Sequence, residues 1–239
     1  MLSNIILSIE TSTESCSVAL SSNGDLIAEK YINSPKVHAS VIAPFINDIL
    51  LENGLTLNDC SAVAVSEGPG SYTGLRVGVS TAKGLCYGSK KPLIAVDTLA
   101  IIAQCALDTI NKEQKIIEPF YIVPMIDARR MEVYTATFDN NIEKITKTEA
   151  KILNSNSFSE LLKKRKVIFT GDGMEKFKTF FAADDNIFKN SIFIEQMPHA
   201  SGLRIIADKM LKNKDFKDCA YFEPFYLKEF IAGKPKKLL

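Results

Sequence analysis

IILSIETSTESCSVALSSNGDLIAEKYI, residues Ile5–Ile32, decides how the chain begins to fold. Ile5–Glu10 and Ser15–Ser21 are two short β-like runs, and Leu26–Ile32 is a third. Between the second and third stands Ser22-Asn23-Gly24-Asp25, hairpin chemistry because Asn and Gly tolerate positive φ. The chain therefore opens as a β-meander. From His38 to Asn53 the period changes, and Val41, Ile42, Phe45, Ile46, Ile49 and Leu50 fall three and four apart on one helical stripe. Gly54 follows as a C-terminal cap, and Pro44 within the helix is expected to kink it.

The alternation then continues. Ala62–Ser66 reads as a strand, Gly74–Tyr87 as a helix, Pro92–Asp97 as a strand, and Leu99–Ile110 as a helix capped by Thr98. After the polar stretch Asn111–Glu118 the pattern restarts, with strands at Phe120–Ile126, Met131–Phe138 and Ile142–Thr148. Next come a helix at Phe158–Lys164, a strand at Val167–Thr170, a helix at Glu175–Phe181, a strand at Ile192–Glu195 and a helix at Ala200–Leu211. Two rounds of β-β-β-α-β-α-β-α predict an α/β protein of two similar lobes, 1–110 and 111–239, each a mixed sheet flanked by helices. That arrangement resembles the actin, hexokinase and Hsp70 (ribonuclease H-like) superfold, which by itself implies no activity. The tripeptide His-Ala-Ser, at His38–Ser40 and again at His199–Ser201, precedes a helical pattern both times, and a Ser hydroxyl starting each helix accounts for it.

Composition excludes several classes. Of 239 residues 46% are hydrophobic and 24% charged, as in an ordinary globular protein, and the net charge of +1 recruits neither nucleic acid nor a membrane in bulk. The N-terminal apolar run is too short for a signal peptide, and no run reaches the roughly 20 apolar residues of a membrane span. Cys16, Cys60, Cys86, Cys105 and Cys219 are scattered and odd in number, which fits a reducing cytoplasm better than a disulfide framework or a zinc site.

Chemistry concentrates in Ser66–Gly78, SEGPGSYTGLRVG. A phosphate loop of the Walker type needs a Lys after its last glycine, and here Gly74 is followed by Leu75-Arg76. The free backbone N–H groups of a helix start, with the Ser71 and Thr73 hydroxyls and Arg76, remain competent for an anion; a tight strand-to-helix turn is the alternative. Along the helix, Gly74, Gly78, Ala82 and Cys86 recur every fourth residue and leave one face almost bare. A helical Gly costs about 1 kcal/mol relative to Ala, so close packing must compensate it. The stripe alone does not say whether the lobe's own sheet or a partner helix does so.

The turn Glu10-Thr11-Ser12-Thr13 stands where nucleotide-binding members of the superfold cup a phosphate. There Asp helps to hold the metal and Gly keeps the turn open; here the acid is Glu10, and Ser12 takes the Gly position and crowds the site. Asp172, in Gly171-Asp172-Gly173, either faces this turn across a cleft or is an ordinary acid in a β–α turn. His38 and His199 lack a partner three to five residues away, which disfavours a metal site, and there is no nucleophile elbow. Arg129 and Arg130 form a charged hairpin tip, and Gly233–Lys237 is a short basic tail expected to be disordered.

IILSIETSTESCSVAL, His38 at the head of the first helix, SEGPGSYTGLRVGVSTAKGL, DARRMEVY and the closing PFYLK together resemble the TsaB family of bacterial tRNA threonylcarbamoyladenosine biosynthesis proteins. Glu10 stands where that family has Asp, Tyr72 where Phe is common and Val77 where Ile is common. The resemblance implies a subunit without intrinsic catalytic activity, a scaffold or activator that pairs with a TsaD-type transferase and is joined by a TsaE-type ATPase. It also implies a homodimer when alone, only indirect contact with tRNA, no membrane, and a cytoplasmic location. No cofactor is required by the subunit itself; ATP and magnesium serve the assembled complex. The pairing surface in the family is built from the first two helices, which here points to His38, Val41, Phe45, Gly74, Leu75, Gly78, Ala82 and Cys86. Glu10, Thr11, Ser12, Thr13, Ser71, Thr73, Arg76 and Asp172 are the nucleotide or anion candidates. A kinase-like ATP-dependent enzyme and a metal-dependent glycoprotease are the other two readings.

Overall fold

Strand β1, Ile5–Glu10, is buried on both faces and sits at the centre of a sheet, Ile5, Leu7 and Ile9 on one face and Ile6, Ser8 and Glu10 on the other. The computed structural model describes residues 4–34, 36–113, 118–154, 156–180 and 189–228. Strand β2 (Ser15–Ser22) pairs antiparallel with β1 from Ile5↔Ser22 to Glu10↔Ser17, and β3 (Asp25–Asn33) pairs antiparallel with β2. Helix α1 (His38–Glu52) leads through a 3₁₀ turn at Leu57–Asp59 to β4 (Ala62–Gly68), which runs parallel to β1. Helix α2 (Tyr72–Ser89) returns the chain to β5 (Leu93–Asp97), parallel to β4, so the sheet order is β3-β2-β1-β4-β5.

Helix α3 (Thr98–Glu113) crosses to the second sheet. Its strands are β6 (Phe120–Asp127), β7 (Glu132–Thr135), β8 (Phe138–Asp139), β9 (Glu149–Ile152), β10 (Lys166–Thr170) and β11 (Ser191–Ile194). The order is β11-β10-β6-β7-β9, with β8 also on β6. Taken from the other edge, two antiparallel strands flank a central one that is followed by two parallel strands, which repeats the first sheet. The duplicated fold class expected from the sequence is what the chain adopts.

Period-two alternation explains the layers. Leu7, Ile9, Val18, Leu20, Val63 and Val65 face α1 and α2, meeting Ile42, Ile46, Ile49, Val79 and Ala82. Ile6, Ala62, Ala64, Ile94 and Val96 face the opposite way, onto Ile101 and Cys105 of α3. The rest of α3, including Leu99, Ile102 and Ala106, packs on Ile122, Phe138 and Ile168 of the second sheet. A helix wedged between two sheets is apolar nearly all round, as Leu99–Ala106 is.

Helices α4 (Ser159–Leu162) and α5 (Met174–Phe180) belong to the second sheet, whereas α6 (Arg204–Asn213) returns to the first. Leu203 and Ala207 pack against the β1, β4 and β5 side chains of the α3 layer. The approach is pinned where the Ser17 hydroxyl accepts from the Ala200 N–H at 2.8 Å and Glu29 accepts from the Ser201 N–H at 2.8 Å. Arg204 grips Asp108 of α3 with both terminal nitrogens. The two sheets thus divide between β5 and β6, and the segment from Pro198 through α6 packs chiefly on the first.

Several local expectations fail for identifiable reasons. Asp97, not Thr98, caps α3, its carboxylate accepting from the Leu99 N–H at 2.7 Å while the buried Thr98 hydroxyl has no partner among the described residues. Met131–Phe138 is split between β7 and β8. Ile142–Thr148 is no strand, because the Asp139 carboxylate accepts from the Asn141 and Glu143 N–H groups and Ile142 takes positive φ. The third strand of that lobe is Glu149–Ile152, displaced toward the C-terminus. Phe158 also has positive φ, which shortens its helix to Ser159–Leu162, and the predicted Ala200–Leu211 helix begins as a 3₁₀ turn over Ala200–Leu203. Neither Ser of the His-Ala-Ser pair caps a helix: Ser40 donates back to the Val37 carbonyl, and Ser201 has no capping bond. The histidines instead fix the first sheet, with His38 Nε2 2.9 Å from the Thr13 carbonyl and His199 stacked on Tyr31 at 4.3 Å. Gly54 takes positive φ just beyond α1, and the Leu55 N–H reaches the Leu50 carbonyl at 2.9 Å, so the cap is as expected. Pro44 lies within α1. The basic tail Gly233–Lys237 and residue Phe181 lie outside the described residues.

Replacing Asp97 by Ala removes the α3 cap and an ion pair to Lys144. The expected loss is about 1 kcal/mol, seen in urea denaturation as a lower midpoint with an unchanged slope. Lys144→Ala, which leaves the cap intact, is expected to lose markedly less.

Candidate functional site

The loop Ser66–Gly78 and the turn Glu10–Thr13 meet face to face. Ser71 caps α2, its hydroxyl accepting from the Gly74 N–H at 3.2 Å, and its own N–H donates to the Ser12 carbonyl at 2.6 Å. Gly70, Gly74 and Gly78 are glycines for a steric reason. A Cβ at Gly70 would overlap the Ser12 carbonyl, at Gly74 the Thr11 carbonyl, and at Gly78 the Thr11 hydroxyl. That hydroxyl donates to the Gly74 carbonyl at 2.8 Å, which binds the turn to the helix. The small-residue stripe of α2 is therefore filled by the chain's own β1–β2 turn. Further along it, Ala82 and Cys86 pack in the core.

The turn is closed as well as covered. Ser12 N–H donates to Glu10 Oε1 at 2.5 Å, Thr11 N–H points to the Ser66 hydroxyl at 3.5 Å, and Ser15 N–H to the Thr13 hydroxyl at 3.4 Å. The Thr11, Ser12 and Ser15 N–H groups are thus turned onto partners within the chain rather than toward a bound anion. Glu10 is fully buried, and its second carboxylate oxygen has no hydrogen-bond partner among the described residues. Burial pushes its pKa above the usual 4.5, with the Ser12 and Ser66 contacts pulling only partly back.

The remaining anion candidates are dispersed. Thr73 is exposed at the start of α2. Arg76 lies over the Tyr72 ring at 4.0 Å and its Nε donates to the Tyr226 hydroxyl at 3.2 Å. Asp172 belongs to the second sheet, where its carboxylate accepts from the Asp127 N–H at 2.9 Å. Burial, reinforced by the neighbouring Asp127 carboxylate, raises its pKa. Gly171 beside it has positive φ, and an added Cβ there would overlap the Met125 carbonyl, so the fold requires glycine at that position. Arg129 and Arg130 are exposed at their hairpin tip.

Among the residues expected at a pairing surface, His38, Gly74, Leu75, Gly78, Ala82 and Cys86 are buried inside the chain, and Val41 and Phe45 are half-buried. The open face of α2 lies elsewhere and carries Gly84 and Gly88, where an added Cβ meets nothing within 4 Å among the described residues. These glycines line a shallow groove of 310 Å³ with Leu57, Asn58, Leu85 and Ser89. Tyr87 nearby is 85% exposed, and Leu51 at the end of α1 is 68% exposed. Sequence reasoning missed this second stripe, although Gly84 and Gly88 are spaced four apart like the first.

The motif at the chain's end meets the same loop from the other side. The Phe225 N–H donates to the Glu67 carbonyl at 2.7 Å, and Gly68, at positive φ, leaves room for the Phe225 carbonyl. PFYLK and SEGPGSYTGLR are parts of one packed unit.

Comparison with known proteins agrees with this architecture. Residues 27–235 match the family of tRNA N6-adenosine threonylcarbamoyltransferases, TsaD. The tRNA threonylcarbamoyladenosine biosynthesis protein TsaB of Escherichia coli (strain K12) is 31% identical over 234 residues, 96% of each chain. The chain therefore belongs to the TsaD family, in its TsaB group. A crystal structure from Pseudomonas aeruginosa, described as an uncharacterized protein with similarity to peptidase YEAZ, superposes with a TM-score of 0.77 at 25% identity. It covers 94% of this chain and all of that one. Component A of the (R)-2-hydroxyglutaryl-CoA dehydratase of Acidaminococcus fermentans, 10% identical with a TM-score of 0.50 over 87% of this chain and 99% of its own, shares the fold alone.

Two outcomes follow from the closed turn. Gly74→Ala is expected to lose about 2–4 kcal/mol of stability, since backbone must move to admit the methyl group; chemical denaturation measures it. Glu10 has a folded pKa above its unfolded one, so its contribution is fully present below the unfolded value and is lost as pH rises through the folded one. Glu10→Gln should match the wild type at pH 4 and exceed its stability at pH 8.

Proposed function

We propose that this protein serves tRNA threonylcarbamoyladenosine synthesis as a non-catalytic scaffold or activator. In this reading it pairs with a TsaD-type transferase, and a TsaE-type ATPase joins the assembly. The observation that carries the reading is the closed β1–β2 turn. Thr11 and Ser12 pack against α2, and their own N–H groups are turned onto Ser66 and Glu10, at the place where a nucleotide phosphate would have to sit. ATP and magnesium then belong to the partners, and tRNA is reached through them.

The pairing face is the open side of α1 and α2, with Leu51, Tyr87 and the Gly84–Gly88 groove, not the buried stripe that begins at Gly74. Two solvent-facing glycines inside a helix weaken it by about 1 kcal/mol each, and close approach of a second backbone offsets that cost. The same face serves self-association when the transferase subunit is absent.

Threonylcarbamoyl transfer to tRNA reconstituted with and without this protein tests the role. Full transfer in its absence would refute the scaffold. Calorimetric titration of the isolated protein with ATP and magnesium separates scaffold from kinase, no binding in the micromolar range being expected. Gly84→Ala tests the face directly: the isolated chain should gain about 0.5–1 kcal/mol while association with the transferase weakens at least tenfold. A more stable variant with unchanged association would place the interface elsewhere.

A further inference from the structure

After α6 the chain runs back across the first lobe as a strap, Asp215–Lys228. The Lys217 N–H donates to the Leu93 carbonyl of edge strand β5 at 2.8 Å, and Phe222 packs into the α1–α2 core. The strap meets α2 along a ridge on which Arg76, Ser80, Lys83 and Tyr87 follow one another at helical spacing and so share one side. Arg76, Ser80 and Tyr87 are exposed there. Lys83 is committed within the chain, since its ammonium donates to two strap carbonyls, those of Ala220 at 3.3 Å and Phe222 at 2.9 Å. Arg76 is the ridge's other cation.

Arg76 is exposed but braced. Its guanidinium lies over the Tyr72 ring, 4.0 Å from the centroid, and its Nε donates to the Tyr226 hydroxyl at 3.2 Å. The two tyrosine rings lean on each other with centroids 4.8 Å apart, so one helix residue and one strap residue hold the guanidinium together. Its two terminal nitrogens have no partner among the described residues, and no carboxylate there is paired with it. A free arginine gives up rotamer freedom when it binds, whereas a braced one gives up little. Its terminal N–H groups match the two oxygens of a carboxylate. With Lys83 spent on carbonyls and the acid Glu223 on the strap, a lone guanidinium suits a singly charged carboxylate better than a more highly charged phosphate.

We propose that Arg76 is a braced anchor for an Asp or Glu side chain of the transferase subunit, near the N-terminal end of α2, with Tyr72 and Tyr226 as its positioning residues. This anchor rests on the pairing face proposed above. Tyr87 and the Gly84–Gly88 groove supply apolar contact, while Arg76 fixes orientation and selects against partners that lack the acid. The strap is then part of the surface, because it supplies the hydroxyl that holds the guanidinium in place.

Association of the full chain with its cognate TsaD-type subunit is measured by calorimetry for the wild type, Arg76→Ala, Arg76→Lys, Tyr226→Phe and Gly84→Ala. The Arg76 variants should melt within about 2 °C of the wild type, the side chain being exposed. Arg76→Ala is expected to weaken association about tenfold or more, with a shallower dependence on salt. Arg76→Lys, which keeps the charge and loses the fork, should recover little of that loss, and Tyr226→Phe, which removes only the brace, should lie between. Wild-type affinity in Arg76→Ala, or full recovery in Arg76→Lys, would overturn the anchor. If Gly84→Ala alone weakens association, the pairing face stands without the anchor; if neither variant does, the face falls with it. Weaker association accompanied by a much lower melting temperature in Arg76→Ala would make the residue a support for the strap and overturn the anchor as well. Loss of inorganic phosphate or tRNA binding in Arg76→Ala, with transferase association unchanged, would assign the guanidinium to a phosphate instead of a carboxylate.

Discussion

Contact between Thr11 and the bare face of α2 is the constraint on which the rest depends. The hydroxyl bond to the Gly74 carbonyl, and the absence of side chains at Gly74 and Gly78, let the β1–β2 turn sit directly on the helix. Because the turn joins the central strand to its neighbour, that seat sets the angle of α2 on the sheet. It also places Ser71 to cap the helix and to bond the Ser12 carbonyl. A side chain at either glycine would separate the layers, expose the turn and free its backbone donors. The β1–β2 turn is thus a packing joint between the central strand and α2.

Two glycine stripes on one helix thus have opposite meanings. One is buried and answered inside the chain; the other, at Gly84 and Gly88, is unanswered and faces solvent. Their composition and spacing are alike, so the difference is purely one of which side the sheet occupies. The burial of Glu10 belongs to the same joint. Its carboxyl caps the turn through the Ser12 N–H in a place water does not reach, which disfavours the charged form.

The C-terminal segment ties the lobes together. Arg204 clamps α3 through Asp108, α6 covers the second face of the first sheet, and the strap crosses to α2 and β5. Helix α3 is buried from both sides as a result, which is why its sequence shows so little polar relief between Leu99 and Ala106.

Residue order alone determined the alternation of strands and helices, the duplication, and the glycine positions, because period, turn chemistry and helix stripes are local properties. The meander at Ile5–Ile32 and the helix over His38–Glu52 were legible for that reason, as was the special nature of Ser66–Gly78. The boundaries of the second lobe were less so: Asp139 and Phe158 impose turns through side-chain bonding and positive φ that apolar runs do not announce. Tertiary structure decided which face of α2 is free and how the β1–β2 turn is filled. Each of these depends on groups far apart in sequence being brought within a few ångströms, and helical spacing is blind to what stands opposite.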